Sequence, residues 1–320
     1  MNIFKMLSFI IMAMFLFGCV PNNNKSIKII VPAAIGNSTD IVARFIAEKL
    51  EKDFNITALV ENKPGAGGAL GWDTVMQRPS DGYNLFYAVR SIMSITPHVY
   101  PKNNLDPVKD FTAISQVCTL PHVLIANPNA PFNNFKELVE YARKNPGKLD
   151  YASLGVGSHP HLAVEYWARQ LDLKINHIPY TGNPAIDVMA GTVPIFLEGS
   201  GTAVPRVLSG GVKAIAVTGG SPIPALPNVA TINNYQPGLD EDGIIGSTWH
   251  GFFARRGTPE PIVALLNRSL VKVSQDKDTQ RRLNEFASVG TGTSSQSLNA
   301  VIAKDFEFFG NIVRNLKIST

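Results

Sequence analysis

The chain has 320 residues, and its 29 Lys and Arg against 25 Asp and Glu leave a net charge of +4. This length allows about two domains at roughly 150 residues each, and an apolar share of 45% excludes an intrinsically disordered protein. So small a charge gives no support for a nucleic-acid-binding protein, which would carry a clustered basic face. Cysteines number only 2, which excludes a disulfide framework and a cysteine-rich zinc site.

The N-terminal segment predicts export from the cytoplasm. Residues 6–18 are almost wholly apolar and follow Lys5, the only charged residue of this stretch. The run is shorter than the roughly 20 apolar residues of a transmembrane helix and is typical of a signal peptide. It ends in Leu16-Phe17-Gly18-Cys19, which resembles a bacterial lipobox. We expect residues 1–18 to be removed and Cys19 to be lipidated, with the residues up to 26 forming a flexible tether. An ordinary secretory signal with an incidental cysteine is the alternative.

From Ser26 onward, short runs of β-forming residues alternate with amphipathic helical runs. The pattern predicts strands at residues 27–31, 56–60, 83–89, 123–126, 149–153, 175–178, 193–197, 212–217 and 249–254. It predicts helices at residues 40–52, 71–77, 134–144, 162–171, 185–190, 261–274, 278–286 and 295–315. This alternation is typical of an α/β architecture with mainly parallel sheets. The second cysteine, Cys118, is expected to be a small buried packing residue.

Two loops run from a predicted strand into a predicted helix, where open α/β sheets bind their ligands. In the first, residues 32–40, Asn37 is a candidate N-cap with Asp40 three residues later. Free backbone N–H groups, two hydroxyls and a helix dipole suit an anion such as a carboxylate. A capped helix that binds nothing is the alternative.

The second loop, residues 153–161, contains two glycines, a serine and the triplet His159-Pro160-His161. The glycines permit close approach of the backbone to a ligand, and Ser158 can cap the helix or bind. The two histidines by themselves are weak evidence for a metal, because no third ligand lies nearby in the sequence.

Motifs of the common enzyme and nucleotide-binding classes are missing from the sequence. There is no G-x-S-x-G, no H-E-x-x-H and no G-x-x-x-x-G-K-[ST], and the glycine-rich residues 64–69 lack the G-x-G-x-x-G spacing. Glu198 follows a predicted strand, and it is either an acid that faces a cleft or a solvated loop carboxylate.

A set of segments in fixed order resembles the substrate-binding proteins of tripartite tricarboxylate transporters, the TctC/Bug type. These segments are residues 31–44, 60–68, 81–83, 106–111, 145–149, 177–182, 216–218, 225–229 and 257–259. The resemblance covers essentially the whole chain after the signal, and the ordered set is far more specific than any one of its pieces.

The resemblance implies a bilobal, type II periplasmic-binding fold, in which two α/β lobes are joined by two crossover segments. Lobe 1 would comprise residues 27–125 and 244–320, and lobe 2 residues 126–243. The crossovers are expected near Ile125 and Gly243, with the C-terminal helices packed back on lobe 1. The family usually binds a small carboxylate between the lobes through loop backbone, hydroxyls and bridging waters.

Matching positions imply which residues line that cleft. They are Ala34, Gly36, Ser38 and Thr39 from the first loop, Gly157, Ser158 and His161 from the second, and Tyr180, Thr181 and Gly182 after a lobe 2 strand. The chain departs from the family pattern at Ile35 in the first loop, at Arg90-Ser91 after the third strand and at Glu198. We include these departures in the predicted site. Arg90 is either a bidentate partner of a ligand carboxylate or an exposed or lobe-bridging residue.

The sequence therefore predicts a lipid-anchored, extracytoplasmic solute receptor that needs no cofactor or metal. Its expected partners are a small organic acid, a membrane permease and, through Cys19, the membrane, and it is expected to be a monomer that binds no nucleic acid. The rival hypothesis is a secreted hydrolase or lyase on the same scaffold, with Ser158, His161 or Glu198 catalytic. A ligand-binding signalling receptor is a further alternative.

Overall fold

The computed structural model describes residues 26–54, 56–240, 245–285 and 287–318. The predicted signal peptide, Cys19 and the tether up to Lys25 lie outside these residues. The strands are β1 (Ile27–Val31), β2 (Ala58–Asn62), β3 (Asn84–Val89), β4 (Phe111–Leu120), β5 (His122–Ala126), β6 (Leu149–Ser153), β7 (Ile175–Pro179), β8 (Ile195–Gly199), β9 (Lys213–Val217), β10 (Thr248–Arg255) and β11 (Val289–Gly290).

Helices follow most of these strands. They are α1 (Ser38–Phe54), α2 (Ala69–Met76), α3 (Arg90–Ser94), α4 (Thr96–Val99), α5 (Pro107–Asp110), α6 (Phe135–Lys144), α7 (His159–Gln170), α8 (Ala185–Ala190), α9 (Ser200–Leu208), α10 (Ile232–Tyr235), α11 (Glu260–Gln275), α12 (Lys277–Glu285) and α13 (Ser295–Leu316). Short 3₁₀ turns lie at Ala66–Gly68 and Pro101–Asn103. The predicted α/β alternation is confirmed.

The strands form two separate sheets, one in each lobe. The first has the order β11-β4-β10-β3-β1-β2 and the second the order β7-β6-β8-β5-β9. Strand β1 is parallel to β2 and β3, and β6 is parallel to β7 and β8. Strand β10, however, runs antiparallel to β3 and β4, and β5 runs antiparallel to β8 and β9. The expectation of mainly parallel sheets is therefore wrong, because β5 and β10 enter each lobe from the other one and oppose its βαβ units.

The chain changes sheets at Pro121, between β4 and β5. The expected crossover near Ile125 falls inside β5, which belongs to the second sheet. The difference arises because β4, a strand of 10 residues interrupted by the polar Ser115 and Gln116, does not show an apolar strand pattern. The chain returns between β9 and β10, and the expected return point near Gly243 lies outside the described residues.

Each sheet is covered by apolar side chains on both faces. Ile29 and Ile30 are neighbours in β1, and both are fully buried, but they belong to clusters on opposite faces of the first sheet. Such burial on both faces is expected for strands flanked by helices on either side. Cys118 is buried and free, as predicted.

The C-terminal helix α13 packs against both lobes. Leu298 and Ile302 join the first-lobe cluster around Trp249, whereas Phe309 and Val313 join the main cluster of the second lobe. The expected packing on lobe 1 thus accounts for the first half of the helix only. Among the described residues, no helix is both long and apolar enough to cross a membrane.

Candidate functional site

The part of the first loop that precedes α1, residues 32–37, is held in place by the buried carboxylate of Asp40. Asp40 Oδ2 accepts the Gly36 N–H at 2.8 Å and the Arg44 Nε–H at 3.1 Å, and its Oδ1 accepts Asn62 Nδ2 at 2.8 Å. Asn62 Nδ2 also donates to the Ala33 carbonyl at 3.0 Å. Burial by itself would raise the pKa of Asp40, but these hydrogen bonds outweigh it and lower that pKa. The carboxylate is therefore ionised and ties the loop to α1 and β2.

Helix α1 begins as the sequence predicts, since Asn37 Oδ1 accepts the Asp40 N–H at 2.9 Å. The predicted site residues of this loop form an open surface at the carboxyl end of β1. Ala34, Ile35 and Gly36 are exposed, and Ser38 and Thr39 are half-buried in the first turn of the helix. The loop therefore presents backbone groups, two hydroxyls and the exposed apolar side chains of Ala34 and Ile35.

In the second loop, residues 154–158 connect β6 to α7 in the same way. Ser158 is the N-cap of α7, and its Oγ accepts the His161 N–H at 3.4 Å. The His161 ring is buried and does not project freely from the loop, because its Nδ1 accepts the Gly157 N–H at 3.0 Å. Gly157 has a left-handed backbone, with φ of 76°.

A third loop, residues 180–183, follows β7 beside the second loop. The Tyr180 N–H donates to the Ser153 carbonyl at 3.0 Å, so the third loop is tied to the start of the second. Tyr180 is half-buried, whereas Thr181 and Gly182 are exposed. The three predicted residues therefore lie at the same edge of the second sheet as Gly157 and Ser158.

Loops of each lobe lie against the other lobe. An ideal Cβ on Gly199, at the end of β8, would lie only 3.4 Å from Ser38 Oγ of the first lobe. A Cβ on Gly157 would lie 2.6 Å from Val99 Cγ1 in α4. The first loop therefore lies against the end of β8 in the second lobe, and the second loop lies against α4 in the first lobe.

Arg90, the predicted counter-ion, lies at the end of β3 and is anchored within the protein. Its Nε donates to Asp305 Oδ2 of α13 at 2.8 Å, and its Nη1 donates to the Ser247 carbonyl at 2.5 Å, just before β10. Asp305 is buried and also accepts Trp249 Nε1 at 2.7 Å. Ser247 and Asp305 both fall within the residues expected for lobe 1, so these two contacts anchor Arg90 inside one lobe. Contact between Arg90 and a ligand stays a prediction. The adjacent Ser91 is half-buried.

Glu198 lies next to Gly199 but is 2% exposed, so the alternative of a solvated loop carboxylate is wrong. Its Oε1 accepts Arg206 Nη1 at 2.5 Å and Asn183 Nδ2 at 3.4 Å. Its Oε2 is buried without a hydrogen-bond partner among the described residues. Burial raises the pKa of Glu198, and Arg206 opposes this rise.

Comparison with known proteins agrees with this architecture. The sequence model of the family described as "Tripartite tricarboxylate transporter family receptor" (TctC) matches residues 42–318. The chain belongs to this family. A UPF0065 protein of Bordetella pertussis is 32% identical to this receptor over 265 residues, which are 82% of this chain and 79% of the relative.

Solved structures of similar fold include other binding proteins. The periplasmic binding protein BugD matches the receptor with a TM-score of 0.83 and 30% identity, over 92% of this chain and 99% of BugD. A protein of R. palustris with adipate has a TM-score of 0.84 and 25% identity, over 92% and 98% of the two chains. MatC from Rhodopseudomonas palustris, with bound malate, has a TM-score of 0.80 and 28% identity, over 90% and 98%. The expected bilobal periplasmic-binding fold is confirmed.

The three side chains named in the hydrolase or lyase hypothesis each have a hydrogen-bond partner in the receptor. His161 Nδ1 accepts from the Gly157 backbone, Ser158 Oγ accepts from the His161 backbone, and Glu198 is paired with Arg206. Within the described residues, no three His, Cys, Asp or Glu side chains are arranged to hold a metal ion. His159 instead packs its buried ring 4.8 Å from the ring of His122.

Sequence reasoning did not find three residues that lie against the predicted site loops. Asn62 supports the first loop, and its only signal is a polar residue at the carboxyl end of a strand. Val99 and Gly199 approach Gly157 and Ser38 from the opposite lobe. Their apolar or absent side chains carry no local signal, because their position against the loops depends on how the lobes meet.

Proposed function

We propose that the protein is an extracytoplasmic solute-binding receptor that captures a small organic carboxylate between its lobes for the membrane permease of a tripartite tricarboxylate transporter. The observation that carries this proposal is that the first and second loops, each with a helix N-terminus behind it, both lie against the opposite lobe, Ser38 beside Gly199 and Gly157 beside Val99. The malate and adipate bound by two structurally similar proteins support a carboxylate as the ligand.

The ligand charge would be met by backbone N–H groups and hydroxyls. Ser38, Thr39 and Ser158 stand at the first turns of α1 and α7, where the helix dipole favours an anion. Arg90 is occupied by Asp305 and the Ser247 carbonyl, so it contributes to lobe geometry more readily than to ligand charge. The exposed Ile35 offers an apolar contact to a ligand that carries an alkyl chain.

The proposal includes export and anchoring. The apolar N-terminal run supports a signal peptide, and Gly18-Cys19 at its end supports lipidation at the membrane, with the protein otherwise monomeric. In the native host, a Cys19→Ser variant is expected to leave the membrane fraction, and retention there would contradict the lipid anchor.

A thermal-shift experiment tests ligand binding. Purified protein without the signal peptide is heated with malate, with adipate and with adipamide, the uncharged diamide that matches adipate in length. A bound acid at a hundred times its Kd stabilises by about 2.7 kcal/mol, which raises Tm by about 5 °C. We expect such a rise with at least one acid and none with adipamide.

A wider panel of mono-, di- and tricarboxylates follows if neither acid binds. A folded protein that no acid of this panel stabilises would contradict the proposed function. Chemical turnover of a bound acid would contradict a pure receptor and favour the hydrolase or lyase hypothesis.

A further inference from the structure

Two histidine rings are stacked directly behind the second loop. His161 lies in the first turn of α7 and His177 in the middle of β7, and their ring centroids are 3.9 Å apart with planes inclined by 17°. His177 is not among the residues assigned to the cleft above. The pair joins the helix that follows the second loop to the strand beside it.

The pair holds the loop at both of its ends. At the far end, His161 Nδ1 accepts the Gly157 N–H at 3.0 Å. At the near end, His177 Nε2 lies 2.6 Å from Ser153 Oγ, which in turn accepts the Gly155 N–H at 3.1 Å. Gly157 is buried against Val99 of the first lobe, so the position of this loop also determines a contact across the cleft.

This arrangement requires that the His161 ring is uncharged. A neutral ring that accepts a hydrogen bond at Nδ1 carries its proton on Nε2. If His161 gained a proton at Nδ1, two N–H donors would face each other at Gly157, and a charged ring would lie against His177. The pKa of both histidines is lowered to about 4, by burial for His177 and by burial together with the nearby His177 for His161.

The titratable neighbours of the pair leave this requirement unchanged. Tyr151 of β6 stacks on His177 with centroids 5.0 Å apart, and its hydroxyl donates to Glu165 of α7 at 2.6 Å. The Glu165 carboxylate is therefore turned to Tyr151, and burial, followed by Glu165, raises the pKa of Tyr151, which keeps its hydroxyl protonated.

We propose that His161 and His177 are positioning residues for the ligand, because their neutral stack sets the second loop in its binding conformation and protonation of the stack releases it. This inference rests on the proposed function for its ligand, but the loop geometry can be tested without one. It assigns to His177 a role that needs no contact with the bound acid.

The first test uses the ligand-free protein. Nitrogen-15 NMR of the imidazoles is expected to show His161 protonated at Nε2 and bare at Nδ1 at pH 7. In a His161→Leu variant, the Gly157 amide is expected to exchange with solvent at least about tenfold faster, which corresponds to the loss of one hydrogen bond of about 1.4 kcal/mol. In His161→Asn, whose side-chain oxygen occupies nearly the place of Nδ1, the exchange should remain within about threefold of wild type.

The second test measures the Kd of malate and of adipate at pH 7. His161→Leu and His177→Leu are expected to bind at least about tenfold more weakly. The conservative His161→Asn and His177→Gln variants should stay within about threefold of wild type, since each keeps the required polar atom. Asn176→Ser is the matched control, because the Asn176 side chain lies next to His177 but bonds to Gly147 and Asp150.

The third test is a pH profile of the Kd ratio between wild type and a double variant with His161→Asn and His177→Gln. The ionisation of the acid itself cancels in this ratio. If two coupled rings titrate near pH 4 and are not both protonated at once, about a third of the molecules have two neutral rings at that pH. The affinity of wild type for the acid should therefore fall about threefold relative to that of the variant between pH 6 and pH 4.

Two results separate the failure of this inference from the failure of the proposed function. If no carboxylate binds but Gly157 and His161 behave as expected, the receptor function fails and the loop-positioning role stands. If the Leu variants bind as tightly as wild type, or if His161 Nδ1 carries the proton at pH 7, the positioning role is overturned and the receptor function is unaffected.

Discussion

One buried carboxylate organises the first loop. Asp40 is 1% exposed and accepts hydrogen bonds from Gly36, Arg44 and Asn62, which join the loop, the helix and the neighbouring strand. Hydrogen bonds to an ionised group are stronger than those between neutral groups. Asn37 caps the helix, and Asp40 fixes the backbone that presents Ser38 and Thr39.

We predict that Asp40→Asn weakens both folding and binding. The amide has one acceptor oxygen and no charge, and its NH₂ group would face donors that now point at the carboxylate. The free energy of unfolding should fall by about 2 kcal/mol, and the affinity for malate or adipate should fall at least about tenfold. Urea denaturation and calorimetric titration measure these two effects.

The matched control is Asp73→Asn, on the exposed side of α2, which should change stability by less than about 0.5 kcal/mol. An Asp40→Asn protein that is equally stable and binds equally well would show that the first loop does not depend on this carboxylate.

At the scale of elements, the turn from β6 into α7 depends on a glycine. Gly157 has φ of 76° and lies where a Cβ would come within 2.6 Å of Val99. Gly147, between α6 and β6, has a similar φ of 70° but no atom within 4 Å of the place where its Cβ would be. The two positions share a backbone requirement and differ only in the space around them.

The different surroundings of Gly147 and Gly157 predict different effects of an alanine substitution. Gly147→Ala should cost about 1–2 kcal/mol, the usual penalty of a left-handed backbone, and should leave the Kd of malate or adipate unchanged. Gly157→Ala should cost more and should also weaken binding, because its methyl group must push the second loop or α4 away from the cleft. Equal loss of stability in the two variants, with equal affinity, would contradict the close interlobe contact.

Elements also show why local pattern failed at β4. Its polar residues are satisfied by a segment distant in sequence, since Ser115 Oγ donates to the Thr293 carbonyl at 2.9 Å and the Gln116 N–H donates to Thr293 Oγ1 at 3.1 Å. The residues near β4 in the sequence do not indicate that Thr293 is the partner of these polar groups. The strand was therefore missed, and the crossover was expected about four residues too late.

At the scale of the whole molecule, all 6 histidines are held neutral. Burial lowers the pKa of His122, His161 and His177 to about 4 and that of His250 to about 3. Burial also lowers the pKa of His98 and His159. In the unfolded chain the same groups titrate near pH 6.5. Between about pH 4 and pH 6.5, these histidines therefore bind more protons in the unfolded state than in the folded state.

The protein should therefore lose stability as the pH falls from about 6.5 toward 4. Each histidine that is protonated only in the unfolded chain lowers the free energy of unfolding by about 1.4 kcal/mol per pH unit in this window. Burial raises the pKa of Glu198 and Asp240, and these two groups work in the opposite direction. Urea midpoints at pH 7, 6, 5 and 4.5 measure the net slope.

The double variant His161→Asn with His177→Gln provides the control, because it removes two of the titrating groups and should flatten this slope. A urea midpoint that stays constant or rises between pH 7 and pH 5 would contradict the burial of neutral histidines.

The sequence by itself determined the family and most of the strands and helices in their order. The strands at residues 27–31 and 149–153 and the helix at 185–190 have the predicted bounds, because their apolar periodicity and turn residues are local properties. The Asn37 cap was likewise visible from residue types and spacing. The ordered set of motifs predicted the fold, because each motif corresponds to a turn or cap that the fold requires.

Only the tertiary structure decided what the charged and aromatic residues near the cleft do. Arg90 is bound to Asp305, 215 residues away, and the His161–His177 stack forms between a helix and a strand of one sheet edge. The direction of β5 and β10 depends on how the chain crosses between lobes. Each of these facts depends on how separate elements of the chain are brought together, and local propensity carries no information about that.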